Sequence, residues 1–166
     1  MANATTNAKR KDWALNSAHD AKPRFPYKLL YYVSQMPDIA SIKQYDFPWP
    51  NDGKGYNIFP TDLENDPLVA FHGTSESSLN SIIQCGFKFG RDFPSISFAK
   101  TSALSLGYAC SKRSETSSNG VVIAVKFKSL SQPGVVEEVS CSHLYCQDKQ
   151  PEIIGYCIVP QSYVHS

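Results

Sequence analysis

The order of apolar and polar positions predicts a series of short strands with two helices among them. The helical spacing of apolar residues covers 75–84 and 101–110, and each helix follows a strand. The apolar and β-branched runs predict strands at residues 68–71, 95–99, 121–127, 135–140 and 153–159. The run at 121–127 is apolar almost throughout, which indicates a central strand. Since strands outnumber helices, the pattern is typical of an α+β fold with a mostly antiparallel sheet.

The part of the chain before residue 67 has a different composition. Residues 1–26 are polar and basic, which predicts a flexible tail, with residues 27–166 as a single domain. A short helix is predicted over residues 27–35. Residues 45–59 are rich in proline, glycine and aromatic residues, which predicts an irregular segment whose rings pack onto the rest of the domain.

Composition and charge exclude several classes of protein. The 166 residues carry a net charge of +1 and are 42% hydrophobic, which argues against a disordered chain or a binder that relies on net charge. No apolar run approaches the ~20 residues of a membrane span, and no secretory signal pattern opens the chain. We therefore expect a cytoplasmic or nuclear protein without a membrane partner, and the five cysteines are expected to be reduced thiols.

The cysteines and histidines suggest one metal-site hypothesis. Cys141, His143 and Cys146 are close in sequence, and a fourth ligand would have to come from a distant residue such as Cys157 or Cys110. No paired Cys-x-x-Cys motif is present, so no metal is expected. A nucleophilic Cys–His pair is chemically possible, but the sequence gives no reason to place two such residues together.

Some further residues are candidates for chemistry, although each alone has an ordinary structural explanation. His72 is predicted at a strand end before Gly73, where a ligand can approach the backbone. Glu152 follows Pro151 at the start of an apolar strand. Tyr108 falls on the helix face that the pattern predicts to be buried, together with Ala103, Leu104 and Gly107.

Three segments in order resemble the motifs of the poly(ADP-ribose) polymerase-type ADP-ribosyltransferases. The first is His72-Gly73-Thr74, followed by a helix that ends at Cys85-Gly86-Phe87. The second is Ser97-Phe98-Ala99 with Ser105 and Tyr108, and the third is Gln150-Pro151-Glu152-Ile153-Ile154. The resemblance covers residues 67–160, more than half of the chain.

The resemblance implies a fold of two split antiparallel sheets with short flanking helices that bind NAD⁺. It implies that His72 bonds the adenosine-side ribose, that Gly73 and Ser105 bind the nicotinamide amide, and that Tyr108 stacks on the nicotinamide ring. Thr74 and Ser97 are included in the implied NAD⁺ site. Glu152 would be the catalytic carboxylate, stabilising the cationic ribose as nicotinamide leaves.

The implied activity is transfer of ADP-ribose, as single units, from NAD⁺ to a macromolecular acceptor. The acceptor is a protein by default, with DNA or RNA ends also open. A NAD⁺ glycohydrolase and a non-catalytic NAD⁺ or ADP-ribose binding module are the alternatives.

Ser97 departs from the family pattern, because it stands where the family's His-Tyr-Glu triad has tyrosine. Either an aromatic wall over the nicotinamide is missing, or Ser97 resembles the serine of the toxin-like branch, which supports the catalytic Glu. Phe93 or aromatic residues of the 45–59 segment are candidates to replace the missing ring.

Overall fold

The computed structural model describes residues 42–49, 56–90 and 93–165. These residues belong to one compact unit. The predicted tail at 1–26 and the predicted helix at 27–35 lie outside the described residues.

Seven strands, three α-helices and two 3₁₀ turns make up the described part of the chain. The strands are β1 Lys43–Tyr45, β2 Val69–Ser75, β3 Ile96–Ala99, β4 Gly120–Lys126, β5 Val135–Glu137, β6 Cys141–Leu144 and β7 Glu152–Val159. The helices are α1 Thr61–Glu64, α2 Leu79–Cys85 and α3 Ser102–Ser111. The 3₁₀ turns are Glu76–Ser78 and Gln147–Lys149.

The strands hydrogen-bond as one sheet in the order β1-β7-β4-β2-β3-β6-β5. Only the β1–β7 pairing is parallel among the described strands, so the α+β class and the mostly antiparallel sheet are confirmed. Two separate sheets were expected, and the structure instead has a continuous sheet. The junction between β2 and β3 is narrow, however, because Phe71 and Ala99 form its single residue pair.

Helices cover the two faces of the sheet, and β4 is buried on both sides. Val121, Ile123 and Val125 contribute to the core on one face, where α2 also packs. Val122 and Ala124 point to the other face, where α3 packs. Burial on both faces explains why this strand is apolar throughout, and the prediction of an interior strand is confirmed.

Helix α3 lies within one residue of its predicted bounds, whereas α2 ends close to its predicted position but begins at Leu79, four residues later than predicted. Gly86 follows α2 with φ 74°, a conformation that favours glycine, so the predicted end of this helix is confirmed. The hydroxyl of Thr101 accepts a hydrogen bond from the Leu104 amide at the start of α3. The Glu64 carboxylate accepts hydrogen bonds from the Ser102 amide and hydroxyl, and this contact fixes the start of α3.

Several elements differ from the sequence predictions. Strands β1 and β6 and helix α1 were not predicted, and β2 continues to Ser75, four residues past its expected end. The rings of the 45–59 segment do pack onto the body, since Tyr45 contacts Phe59 at 5.2 Å and Phe59 stacks on Phe71 at the same distance. Within the described ranges, no helix combines the length and hydropathy needed to cross a bilayer.

Candidate functional site

A cavity of about 490 Å³ lies where β3 separates from β2. Continuing the register from the Phe71–Ala99 pair would bring Gly73 opposite Ser97, but no ladder forms there. The sheet therefore opens beside the second half of β2. Six of the seven predicted site residues line this one cavity: His72, Gly73, Thr74, Ser97, Ser105 and Tyr108.

His72 lies inside β2 and not at its end, which corrects the sequence prediction. Its ring packs edge-on against Phe87 at 5.1 Å and lies 5.7 Å from Phe98. Nδ1 lies 3.0 Å from the Ser97 carbonyl oxygen, which can only accept, so Nδ1 carries the proton. This hydrogen bond crosses the gap between β2 and β3 and fixes the ring in place.

The environment of His72 favours its neutral form. Burial lowers the pKa of His72, and the charge of Lys112 lowers it further, against the opposing effect of the bond to Ser97. With the proton on Nδ1, the lone pair of Nε2 is available to accept a hydrogen bond from a ligand hydroxyl.

Gly73 lets α3 lie directly on β2. A Cβ at this position would be 2.1 Å from the Ser105 carbonyl oxygen and 2.8 Å from the Ala109 amide nitrogen. Only glycine fits such an approach of backbone to backbone. The close contact brings Ser105 and Tyr108 to the wall of the cavity.

The buried face of α3 is not the one that the sequence predicted. Leu104 and Tyr108 were expected to be buried, yet Tyr108 is 57% exposed and its ring is open to the cavity. The residues that face the sheet are mostly small: Ser102, Ser105, Leu106 and Ala109. Small residues are required there because the helix sits so close to Gly73.

The hydroxyl of Ser105 is buried without a hydrogen-bond partner among the described residues. The residue is 1% exposed, and its Oγ has no hydrogen-bond partner among the described residues. Buried hydroxyls are normally paired, because an unpaired one costs free energy. Ser105 lines the cavity, but its Oγ is itself buried and is not exposed to a ligand there.

Ser97 is engaged by a residue that the sequence analysis did not connect to the site. Its Oγ lies 3.0 Å from Nδ1 of His143 on β6, the strand that pairs with β3. The alternative in which Ser97 supports Glu152 is therefore wrong. Phe93, proposed as a replacement for the missing aromatic ring, does line the cavity and is 69% exposed.

Glu152 lies outside the cavity, so its predicted convergence with His72 is wrong. It opens β7 and pairs with Lys126, which in turn pairs with Val69 at the start of β2. His72 pairs with Ile123 on β4, and Ile123 pairs with Tyr156 on β7, which is four residues after Glu152. On β2 and β4 this offset is three residues, because the register between β4 and β7 shifts at Ala124 and Val125; three residues of strand span about 10 Å, and β4 lies between β2 and β7. Because β7 runs in the same direction as β2, Glu152 at the start of β7 is level with Val69 at the start of β2 and not with His72.

The cavity has a positive electrostatic character. Lys88 and Lys112 line it, and none of its described lining residues is acidic. With His72 neutral, the charges that a ligand meets are the two ammonium groups. Such a wall favours an anionic ligand.

A second cavity of about 400 Å³ adjoins the first on the side of α2. The two share four lining residues: His72, Thr74, Lys88 and Ile96. Ser77, Ser78 and Ser81 contribute hydroxyl groups to the second cavity. Together the two cavities form an elongated site with His72 and Thr74 at its middle.

The sequence-based metal hypothesis combined the wrong ligands. Cys157 is fully buried in the core beneath α3, and Cys110 packs beside the same core. Cys141 and His143 are adjacent, with Sγ 3.2 Å from Nε2, so the Cys–His pair that the sequence could not place does exist. Glu138 joins these two, and Cys146 does not. All five cysteines are free thiols, as expected.

Neither a known protein family nor a curated protein matches this chain.

Proposed function

We propose that the elongated site binds NAD⁺ or its ADP-ribose part, and that the domain acts as a binding module. The observation that carries the proposal is the convergence of three separate segments, 72–74, 97 and 105–108, on one cavity. These are the segments that resemble the NAD⁺-binding motifs of ADP-ribosyltransferases.

The first cavity fits the nicotinamide end of the dinucleotide. Tyr108 offers an exposed aromatic face for the planar nicotinamide ring. Nε2 of His72 accepts from a ribose hydroxyl, and Lys88 and Lys112 neutralise the pyrophosphate. The adenosine end then extends into the second cavity along α2.

Binding is favoured over turnover because none of the described residues that line the cavity is acidic. Cleavage of the bond between ribose and nicotinamide builds positive charge on the ribose, and a carboxylate beside it lowers the barrier. Glu152 lies at the start of β7, outside the cavity, and no described lining residue is Asp or Glu. The arrangement therefore supports holding a nucleotide better than cleaving one.

ADP-ribosyl transfer, or hydrolysis of NAD⁺, is a second candidate function that one observation favours. Glu138 lies against the cavity wall, with Oε1 3.6 Å from Nε2 of His143, which itself lines the cavity. If the domain is catalytic, Glu138 is the carboxylate to test. Glu138→Gln should then abolish nicotinamide release, whereas Glu152→Gln should leave it unchanged.

Calorimetric titration of the full chain with NAD⁺ and with ADP-ribose tests the binding proposal. Tyr108→Ala removes the stacking surface and should weaken NAD⁺ binding by about 1–3 kcal/mol. Tyr145→Ala is the matched control, since Tyr145 is also a half-exposed tyrosine but does not line the cavity. The proposal would be overturned if neither NAD⁺ nor ADP-ribose bound to the protein. It would also be overturned if Tyr108→Ala and Tyr145→Ala weakened NAD⁺ binding equally.

A further inference from the structure

Three side chains of the β5–β6 hairpin bring a carboxylate, a thiol and an imidazole nitrogen to one point. Sγ of Cys141 lies 3.2 Å from Nε2 of His143 and 3.6 Å from Oε2 of Glu138. Oε1 of Glu138 lies 3.6 Å from Nε2 of His143. Each pair of donor groups is therefore in contact, and the three groups form a triangle in which Cys141 and His143 approach different oxygens of the Glu138 carboxylate.

The size of this triangle matches one face of a zinc coordination tetrahedron. Zinc bonds of about 2.0–2.3 Å to oxygen, nitrogen and sulfur place neighbouring donor atoms about 3.3–3.6 Å apart. The separations of 3.2 Å between Sγ and Nε2 and of 3.6 Å from each of these atoms to its nearer carboxylate oxygen are close to that range, and one ligand atom from each residue lies within 4.8 Å of the others. Thiolate, imidazole and carboxylate together are donors that suit zinc, whereas calcium and magnesium prefer oxygen alone.

The imidazole of His143 is oriented as a metal ligand would be. Its Nδ1 lies 3.0 Å from the Ser97 hydroxyl. This hydroxyl can accept a hydrogen bond from Nδ1–H, which leaves the lone pair of Nε2 for a metal. This contact comes from β3, a different strand from the one that carries His143, and it is independent of the triangle. Alternation along β6 puts Cys141 and His143 on one side of the strand while Ser142 and Leu144 are buried on the other.

We propose that Glu138, Cys141 and His143 bind one Zn²⁺ ion, with the fourth coordination position open to the cavity. Cys141 and His143 both line the cavity, so a bound ion would face it. Three protein ligands and one open position are the arrangement of zinc sites that bind water or a substrate group. The inference is independent of the proposed function, because zinc binding is measured without a nucleotide.

Zinc titration of the full chain, after removal of metal with a chelator under reducing conditions, tests the proposal. Competition with a chromophoric chelator should give one bound zinc per chain, with a Kd below about 1 μM. Cobalt in place of zinc should produce the sulfur-to-cobalt charge-transfer absorption of a thiolate ligand. Failure to reach one equivalent, or cobalt absorption without the thiolate band, would overturn the site.

Variants separate this site from adventitious binding. Cys141→Ser should weaken zinc binding more than about 100-fold, and Ser97→Ala, which removes only the partner of His143, about 10- to 100-fold. Cys146→Ser is the matched control, because Cys146 is nearby in sequence but outside the triangle, and it should leave the affinity unchanged. Glu138→Gln gives a second ligand variant, and since this side chain is 59% exposed we expect the variant to fold. Equal loss of zinc in Cys146→Ser and Cys141→Ser would contradict the assignment.

Discussion

The narrow β2–β3 junction divides the sheet into two halves with different construction. The β2 half comprises β1, β7, β4 and β2, and its three long strands pair over seven residues or more. The β3 half comprises β3, β6 and β5, whose strands have four residues or fewer. The long ladders bury every residue of β4 except Lys126 at its end, whereas β5 stays largely exposed.

Two cysteines illustrate the consequence of this difference. Cys157 of the β2 half is fully buried, and burial raises the pKa of its thiol to about 12. Such a thiol is chemically inert and acts as a core residue. Cys141 of the β3 half lies at the surface of the cavity in contact with His143 and Glu138. The buried thiol thus lies in the β2 half, and the thiol that can react or bind a metal lies in the β3 half.

The largest effect is expected at the glycine on which α3 rests. Gly73→Val would place side-chain atoms against the backbone of Ser105 and Ala109, and these backbone atoms cannot move without displacing the helix. We expect a loss of more than about 3 kcal/mol in the free energy of unfolding, or no folded protein. Urea denaturation measures this change in the free energy of unfolding. Gly90→Ala is the control, since its new Cβ would meet only the Phe93 side chain; a similar loss there would refute the explanation.

A pair of truncations compares the two halves directly. Ile123→Ala removes a side chain that is buried on β4, so it should destabilise the protein by about 2–5 kcal/mol. Val136→Ala removes apolar atoms from β5, where the side chain is half exposed, and should cost no more than about 0.5 kcal/mol. Denaturation midpoints of both variants against the unmodified chain provide the test. Equal costs would mean that the halves do not differ in their contribution to stability.

The smallest effect is a pH dependence that originates at the border of the two halves. The folded-state pKa of His72 is lowered below its ordinary value of 6.5, so the unfolded chain binds the proton more readily. Stability should therefore fall as the pH drops through 6.5 towards the folded-state pKa, with a slope of at most about 1.4 kcal/mol per pH unit.

Melting temperatures between about pH 7.5 and pH 5 can isolate this contribution. His72→Phe keeps a ring among Phe87 and Phe98 but cannot titrate, so it should show a weaker decline than the unmodified chain. His165→Phe, at an exposed histidine, should decline as the unmodified chain does. Identical pH profiles for all three proteins would contradict the role assigned to His72.

Local patterns were sufficient for the elements whose signals lie within a few residues. The apolar run at 121–127, the helical spacing before Gly86 and the motif at Ser97-Phe98-Ala99 each describe a single element, and each was found. Strand β6 escaped prediction because Cys141-Ser142-His143-Leu144 is short and lacks β-branched residues. Its alternation of partly exposed and buried positions was the one signal that could have revealed it.

The predictions that failed depended on the register between distant strands. Whether Glu152 meets His72 is decided by the antiparallel ladder through β4, which sets the start of β7 level with Val69. The face that α3 buries is likewise set by its contact with Gly73 and not by its own apolar spacing.

The sequence alone determined the class of the fold, its interior strand and six of the residues that meet at one cavity, because hydrophobic periodicity and short motifs act over one element at a time. Only the tertiary structure decided which acidic residue approaches the cavity, which side of α3 faces the sheet and that Cys141, His143 and Glu138 form a triangle. These relations depend on hydrogen-bond pairing between strands and on close backbone packing, neither of which is encoded in the spacing of residues within one segment.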